Sequence, residues 1–251
     1  MQNIFTVAKK EIRDNFSNRG MLIQALIMPV LFGFLYSNNL SSQAGMNLSI
    51  NGIVFYLSIM ISAFMSYMFL SQAFVMEKYT RTIESLMCTP LSLRDILLGK
   101  VLGVSASTYP FVLLAVLIPI IRTGLENGEF LLPSLAIFVQ VLFVTPLVIL
   151  GFVNLMGFLN LYVGLKEYRI LNLIVFVPLF GLMGAGIGLA SNIDAQWALV
   201  GIVAGVAVLL LAISTYLTRF LSRERIVTTL PSNIFISLFA PCVHNTQGAF
   251  F

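Results

Sequence analysis

The side chains with chemistry to offer gather in one short stretch. Residues 76–100 read MEKYTRTIESLMCTPLSLRDILLGK and carry Glu77, Lys78, Arg81, Glu84, Arg94, Asp95 and Lys100 between the apolar runs 52–75 and 101–121. Glu77 and Arg81 stand at i, i+4, and Glu84 follows three residues after Arg81, so the three share one helical stripe. Such pairs contribute about 0.2–0.5 kcal/mol each, the level of any solvated helix end. Thr89-Pro90 then breaks the helix, because a residue before proline is biased away from the α region. Ser92-Leu93-Arg94-Asp95 is a helix-start signal placed immediately before an apolar run. The pattern describes a stiff polar bend between two apolar helices, a place where another protein can push.

The elements that must hold this bend are membrane helices. The 251 residues are 59% hydrophobic and 10% charged, with a mean hydropathy of +0.97. Soluble domains carry about 25% charged residues. A span needs roughly 20 mostly apolar residues at about 1.5 Å rise each. Six are expected, at 21–37, 52–75, 97–121, 133–158, 171–190 and 196–218. They fill most of a domain running over 21–221, which leaves no room for a separate soluble catalytic domain. The expected fold is an all-α membrane protein with six transmembrane helices, an N-terminal amphipathic interfacial helix (1–20), a cytosolic coupling segment between spans 2 and 3 (76–100), and a cytosolic tail (222–251).

Charge placement sets the expected orientation. With the N-terminus inside, Lys9, Lys10, Arg13, Arg19, Lys78, Arg81, Arg94, Lys100, Lys166, Arg169, Arg219, Arg223 and Arg225 all fall in inner segments, leaving only Arg122 of the 14 basic residues outside. That is the positive-inside pattern of an even number of spans with both termini cytosolic. The net charge of +4 is then a matter of topology, and no nucleic-acid partner is inferred from it. A cleaved leader over 1–44, ending at Ser42-Gln43-Ala44, is disfavoured because the leading polar region and the apolar run are both too long.

Residues 4–18 read IFTVAKKEIRDNFSN. Ile4, Phe5, Ala8, Ile12 and Phe16 line one helical face, with Lys9, Lys10, Arg13 and Asp14 away from it, as in a basic helix lying on the inner membrane surface. It serves either as an elbow that passes a partner's movement to span 1 or as a simple anchor. Pro29, Pro110, Pro119, Pro146 and Pro178 fall within spans, where neighbouring helices re-satisfy freed backbone groups. Gly184–Gly188 and Gly201–Gly205 match the G-x-x-x-G spacing of close helix approach.

Several functions are excluded or disfavoured. Gly99-Lys100 is no phosphate loop, since that motif needs glycine at Arg94 and Ser or Thr at Val101. The chain thus carries no nucleotide site and no catalytic cluster, and it takes its energy from a partner or an ion gradient. Ion coupling places carboxylates or histidines inside spans, whereas every Asp, Glu and His here falls at an end, in a connector or in a tail. Cys88, Cys242 and His244 supply no zinc ligand set, and cytosolic thiols stay reduced. No internal repeat appears, which weighs against transporters made of duplicated halves.

The stretch EKYTRTIESLMCTPLSLRDILLGK resembles the signature of the type-2 family of ABC transporter permeases. The matching positions are Glu77, Arg81, Thr82-Ile83-Glu84, Thr89-Pro90 and Gly99-Lys100; the chain departs from the family at Thr80–Arg81, where R-G is common, and at Ile83, where leucine is usual. Length, span number and amphipathic N-terminus agree as well. The resemblance implies that 76–100 is a coupling helix seated in a cleft of a separate ABC ATPase subunit, which binds the ATP and Mg. It also implies a homo- or heterodimer of permeases, in a cell membrane, with a pathway between them near spans 2 and 5. The expected ATPase contacts are Glu77, Arg81, Glu84, Thr89, Pro90, Arg94 and Asp95, and the expected substrate path passes Ser62, Ser66 and Tyr67. This chain itself is expected to bind no cofactor and no metal. The competing readings are a passive channel, which would show polar residues down one face of several spans, and a non-transporting membrane scaffold.

Overall fold

The structure, a computed structural model, describes residues 2–42, 50–80, 92–127, 133–162 and 193–218, and almost every one of them is helical. The helices are α1 (Gln2–Ser17), α2 (Arg19–Ser42), α3 (Ile50–Leu70), α4 (Glu77–Tyr79), α5 (Leu93–Asn127), α6 (Leu135–Val139), α7 (Thr145–Tyr162) and α8 (Ile193–Leu217). Two π-helical turns, Ser71–Met76 and Gln140–Val144, join α3 to α4 and α6 to α7 without a break. Five segments are long and apolar enough to cross a membrane: Arg19–Ser37, Ile50–Met76, Leu93–Leu125, Leu135–Tyr162 and Gln196–Leu217. This is the build of an integral membrane protein. These five match the expected first, second, third, fourth and sixth spans. The span expected at 171–190, the connector residues Arg81, Glu84, Cys88, Thr89 and Pro90, the Gly184–Gly188 pair and the 222–251 tail lie outside the described residues.

The packing centre lies among α2, α3, α5 and α7. Met21 and Ala25 of α2, Leu57, Ile61, Met65 and Phe69 of α3, Leu97, Val104 and Phe111 of α5, and Phe152 and Met156 of α7 form one buried cluster. Close approach relies on glycine where helices cross. A β-carbon at Gly33 would lie 3.0 Å from Ile118 Cβ, and one at Gly151 would lie 3.1 Å from the Ala207 carbonyl. By contrast, nothing lies within 4 Å of such an atom at Gly201 or Gly205, so the G-x-x-x-G of α8 makes no close approach to a described helix. Large apolar side chains that remain exposed, such as Ile23, Ile27 and Phe34 of α2 and Ile202, Leu209 and Ile213 of α8, present surfaces suited to lipid.

The second π turn has a local cause. Pro146 has no N–H and its ring crowds the carbonyl four residues back, so the helix widens just before it, and the Thr145 hydroxyl donates to the Gln140 carbonyl at 3.1 Å. Polar side chains then tie the bundle together. Gln140 Nε2 donates to Ser58 Oγ at 3.2 Å, Asn154 Nδ2 to Ser214 Oγ at 2.9 Å, and the Ser134 hydroxyl to Gln196 Oε1 at 2.6 Å.

α1 packs along the first turns of α5. Val7 meets Gly99, Glu11 meets Gly103, and Asn15 Nδ2 donates to Ser107 Oγ at 3.2 Å, so each step of four on α1 matches a step of four on α5. Two helices keep such a constant offset over successive turns only when they run side by side in the same direction. The buried face of α1 is therefore Ala8, Glu11 and Asn15, while Phe5 and Phe16 are exposed. Of the apolar stripe, Ala8 packs on α5 and Phe16 stacks on Phe111 at 6.3 Å, while Phe5 stays exposed. A column of small residues on α5, Gly99, Gly103 and Ser107, admits α1 closely, so that Glu11 and Asn15 pack beside Val7 and Ala8.

Candidate functional site

Where α1, the lower end of α3 and the start of α5 meet, one lysine is buried among them. Lys100 projects from the second turn of α5, whose start is fixed as the sequence predicts: the Asp95 N–H donates to Ser92 Oγ at 3.1 Å. The Lys100 ammonium donates to Glu11 Oε1 at 2.6 Å, to Glu77 Oε1 at 2.7 Å and to the Ala73 carbonyl at 2.9 Å. An ammonium has three donors, and all three are used. The Phe74 ring lies 5.4 Å from the same nitrogen, within cation–π range. Only 2% of Lys100 is exposed.

The first π turn makes the third of these bonds available. In a regular α-helix the Glu77 N–H would reach back four residues to the Ala73 carbonyl. Here it bonds to Phe74 one residue nearer. The Ala73 carbonyl is thus turned toward Lys100. No proline lies in this turn, and the lysine supplies the partner that the widened helix lacks. Isolated π turns are frequently found at functional sites.

Two carboxylates share one ammonium, and among the described residues the second oxygen of Glu77 is buried with no hydrogen-bond partner. Burial pushes the Glu11 carboxyl above its usual range, against the opposing pull of Lys100. Next to Glu77, burial lowers the Lys78 ammonium to about 8. A charge cluster held this way couples three helices: breaking any one contact leaves a desolvated charge exposed to its neighbours. Among the described residues no group of three or more His, Cys, Asp and Glu comes together as a metal site.

Of the expected ATPase contacts, Glu77, Arg94 and Asp95 are described. Arg94 is exposed and Asp95 half-buried at the start of α5. Glu77 turns inward, and its carboxylate accepts from Lys100. The expected path residues Ser62 and Ser66 are buried inside the helix bundle, with the Ser62 hydroxyl donating to the Ile59 carbonyl at 2.7 Å, and Tyr67 is half-buried. Sequence reasoning missed Glu11 as a site residue and saw Lys100 only as the end of the connector. The signal that finds them is the matched four-residue spacing of Val7, Glu11 and Asn15 with Gly99, Gly103 and Ser107. No protein-family model, curated protein or solved structure matches this chain.

Proposed function

We propose that this chain is the membrane-spanning permease subunit of an ATP-driven ABC exporter of the type-2 permease family. In this reading the residues at 171–190 form a sixth span, both termini are cytosolic, and two permease copies form the translocation pathway. A separate ATPase subunit seats the 76–100 connector and supplies the ATP and Mg. The observation that carries the reading is the Lys100 clasp. It joins both ends of the connector, through Glu77 on one side and Lys100 on the other, and it binds α1 to the same point. A force applied to the connector would then reach α3, α5 and α1 as one body, which suits a lever and has no use in a passive pore. The buried polar side chains Gln140, Ser58, Asn154 and Ser214 bond to one another across helices, which lends no support to a channel lined by them within one protomer.

Co-purification tests the proposal. The tagged chain, expressed with its genomic neighbours, should retain an ATPase subunit, and ATP hydrolysis by the complex should fall on Glu84→Arg. Membranes containing only this chain that moved solute at full rate without ATP would replace the exporter with a channel. Labelling of Cys88 from the outer side alone would end the proposal, since no cytosolic ATPase could reach it.

A further inference from the structure

The clasp uses one side of α1 and leaves another side with a separate arrangement. At about 100° per residue, α1 presents three faces. Val7, Glu11 and Asn15 turn to α5. Phe5 and Phe16 stand on the next flank, 69% and 42% exposed. Lys9, Lys10 and Arg13 occupy the third, all exposed, and with Thr6, Asp14 and Ser17 they line an open hollow of about 440 Å³. Neither ion pair of the clasp involves these three cations.

We propose that this face of α1 binds the phosphates of anionic phospholipids in the leaflet on the α1 side of the membrane. Depth is the first argument. α1 ends at Ser17, and the apolar segment that begins at Arg19 is long enough to cross the bilayer. The three cations therefore stand six to ten residues before that apolar segment, where long side chains extend toward the headgroup layer. Orientation is the second. Packing of Gly99 and Gly103 against Val7 and Glu11 fixes the rotation of α1 about its axis, so the basic face is held in place before any lipid arrives. The third is the neighbouring flank. Exposed phenylalanines beside cations match the boundary between acyl chains and phosphates, where amphipathic helices place those residue types. A soluble protein partner would have to cover Phe5 and Phe16 as well. Asp14 sits in the same hollow and opposes part of the charge, leaving three cations against one carboxylate.

The test uses the full chain purified in detergent and titrated with phosphatidylglycerol or phosphatidylcholine of identical acyl chains, with retained lipid counted by native mass spectrometry. The native chain is expected to retain phosphatidylglycerol preferentially. Each juxtamembrane cation contributes about five-fold to anionic-lipid affinity. The variant carrying Lys9→Gln, Lys10→Gln and Arg13→Gln should therefore lose the preference by roughly ten-fold or more. The charge-conserving variant Lys9→Arg, Lys10→Arg and Arg13→Lys should keep it, which separates loss of charge from loss of fold. Free glycerol phosphate should not displace the lipid. Equal retention of the two lipids by the native chain would overturn the proposal, as would persistence of the preference in the neutral variant or displacement by glycerol phosphate. Loss of a co-purifying protein with lipid preference unchanged would also overturn it, assigning the face to a protein partner. None of these outcomes depends on whether the chain couples to an ATPase.

Discussion

Replacing Lys100 with methionine keeps most of the side-chain volume and removes the charge shared by α1, α3 and α5. The substitution strips three donors from Glu11 Oε1, Glu77 Oε1 and the Ala73 carbonyl. Two carboxylates that were 2.6 and 2.7 Å from one ammonium are then buried near each other with no cation between them. Removing one partner of a buried ion pair costs about 3–5 kcal/mol. For a chain of this size each kcal/mol corresponds to about 2–4 °C in Tm, so the expected loss is on the order of 10 °C. Thermal unfolding in detergent, followed by size-exclusion fluorescence, measures it. The electrostatic origin is checked by combining Lys100→Met with Glu11→Gln and Glu77→Gln. Those changes remove the stranded charges and should recover more than half of the loss, a coupling expected of groups in direct contact. A Lys100→Met protein within about 1 °C of native would refute the clasp, at a precision that corresponds to well under 1 kcal/mol. A triple variant no better than the single one would refute the charge argument while leaving the packing intact.

Other outcomes follow from the same geometry. Gly103→Val places a β-carbon 2.6 Å from Glu11 Cβ and 3.0 Å from the Ala8 carbonyl; overpacking of this kind costs about 1–3 kcal/mol. Gly201→Ala, with nothing within 4 Å, should leave the chain's stability unchanged in the same assay. Glu11→Gln tests the raised carboxyl. Because the folded chain holds that proton more tightly than the unfolded one, native stability falls as pH rises from the ordinary carboxylate value through the raised one, and it stays reduced above. The variant should lose this acid-side gain; a steeper pH dependence in the variant would contradict the assignment. Lys78 works in the opposite direction: its ammonium is lowered to about 8, so stability should rise with pH between that value and the ordinary lysine range, and Lys78→Met should flatten the rise.

Five of the six expected spans were legible because hydropathy over some twenty residues is set by the bilayer and needs no knowledge of neighbours. The start of α5 was legible for a similar reason, since Ser92 caps its own helix through a contact three residues away. The polar part of the packed face of α1 was not legible, because counting apolar residues finds only apolar contacts. At the seam of Gly99, Gly103 and Ser107, Glu11 and Asn15 pack beside Val7 and Ala8. Lys100 was hidden for a related reason. Its partners lie 89, 27 and 23 residues away, and one of them is a backbone carbonyl that no side-chain pattern reveals. Glu77 was read from local spacing alone, which does not reveal a cation 23 residues along the chain at its carboxylate.

The widened turn at Ser71–Met76 has one further consequence. A π turn amounts to a single surplus residue in an otherwise regular spiral, so everything below it is phase-shifted by about 100° relative to an uninterrupted α-helix. Glu77 points at Lys100 only because of that offset. Deleting one residue, such as Gln72, would restore the ordinary winding and swing the carboxylate roughly a quarter-turn off its target. The helix would be more regular, yet α3 would be uncoupled from α1 and α5. Regularity and linkage compete at this position, and the chain has settled for linkage.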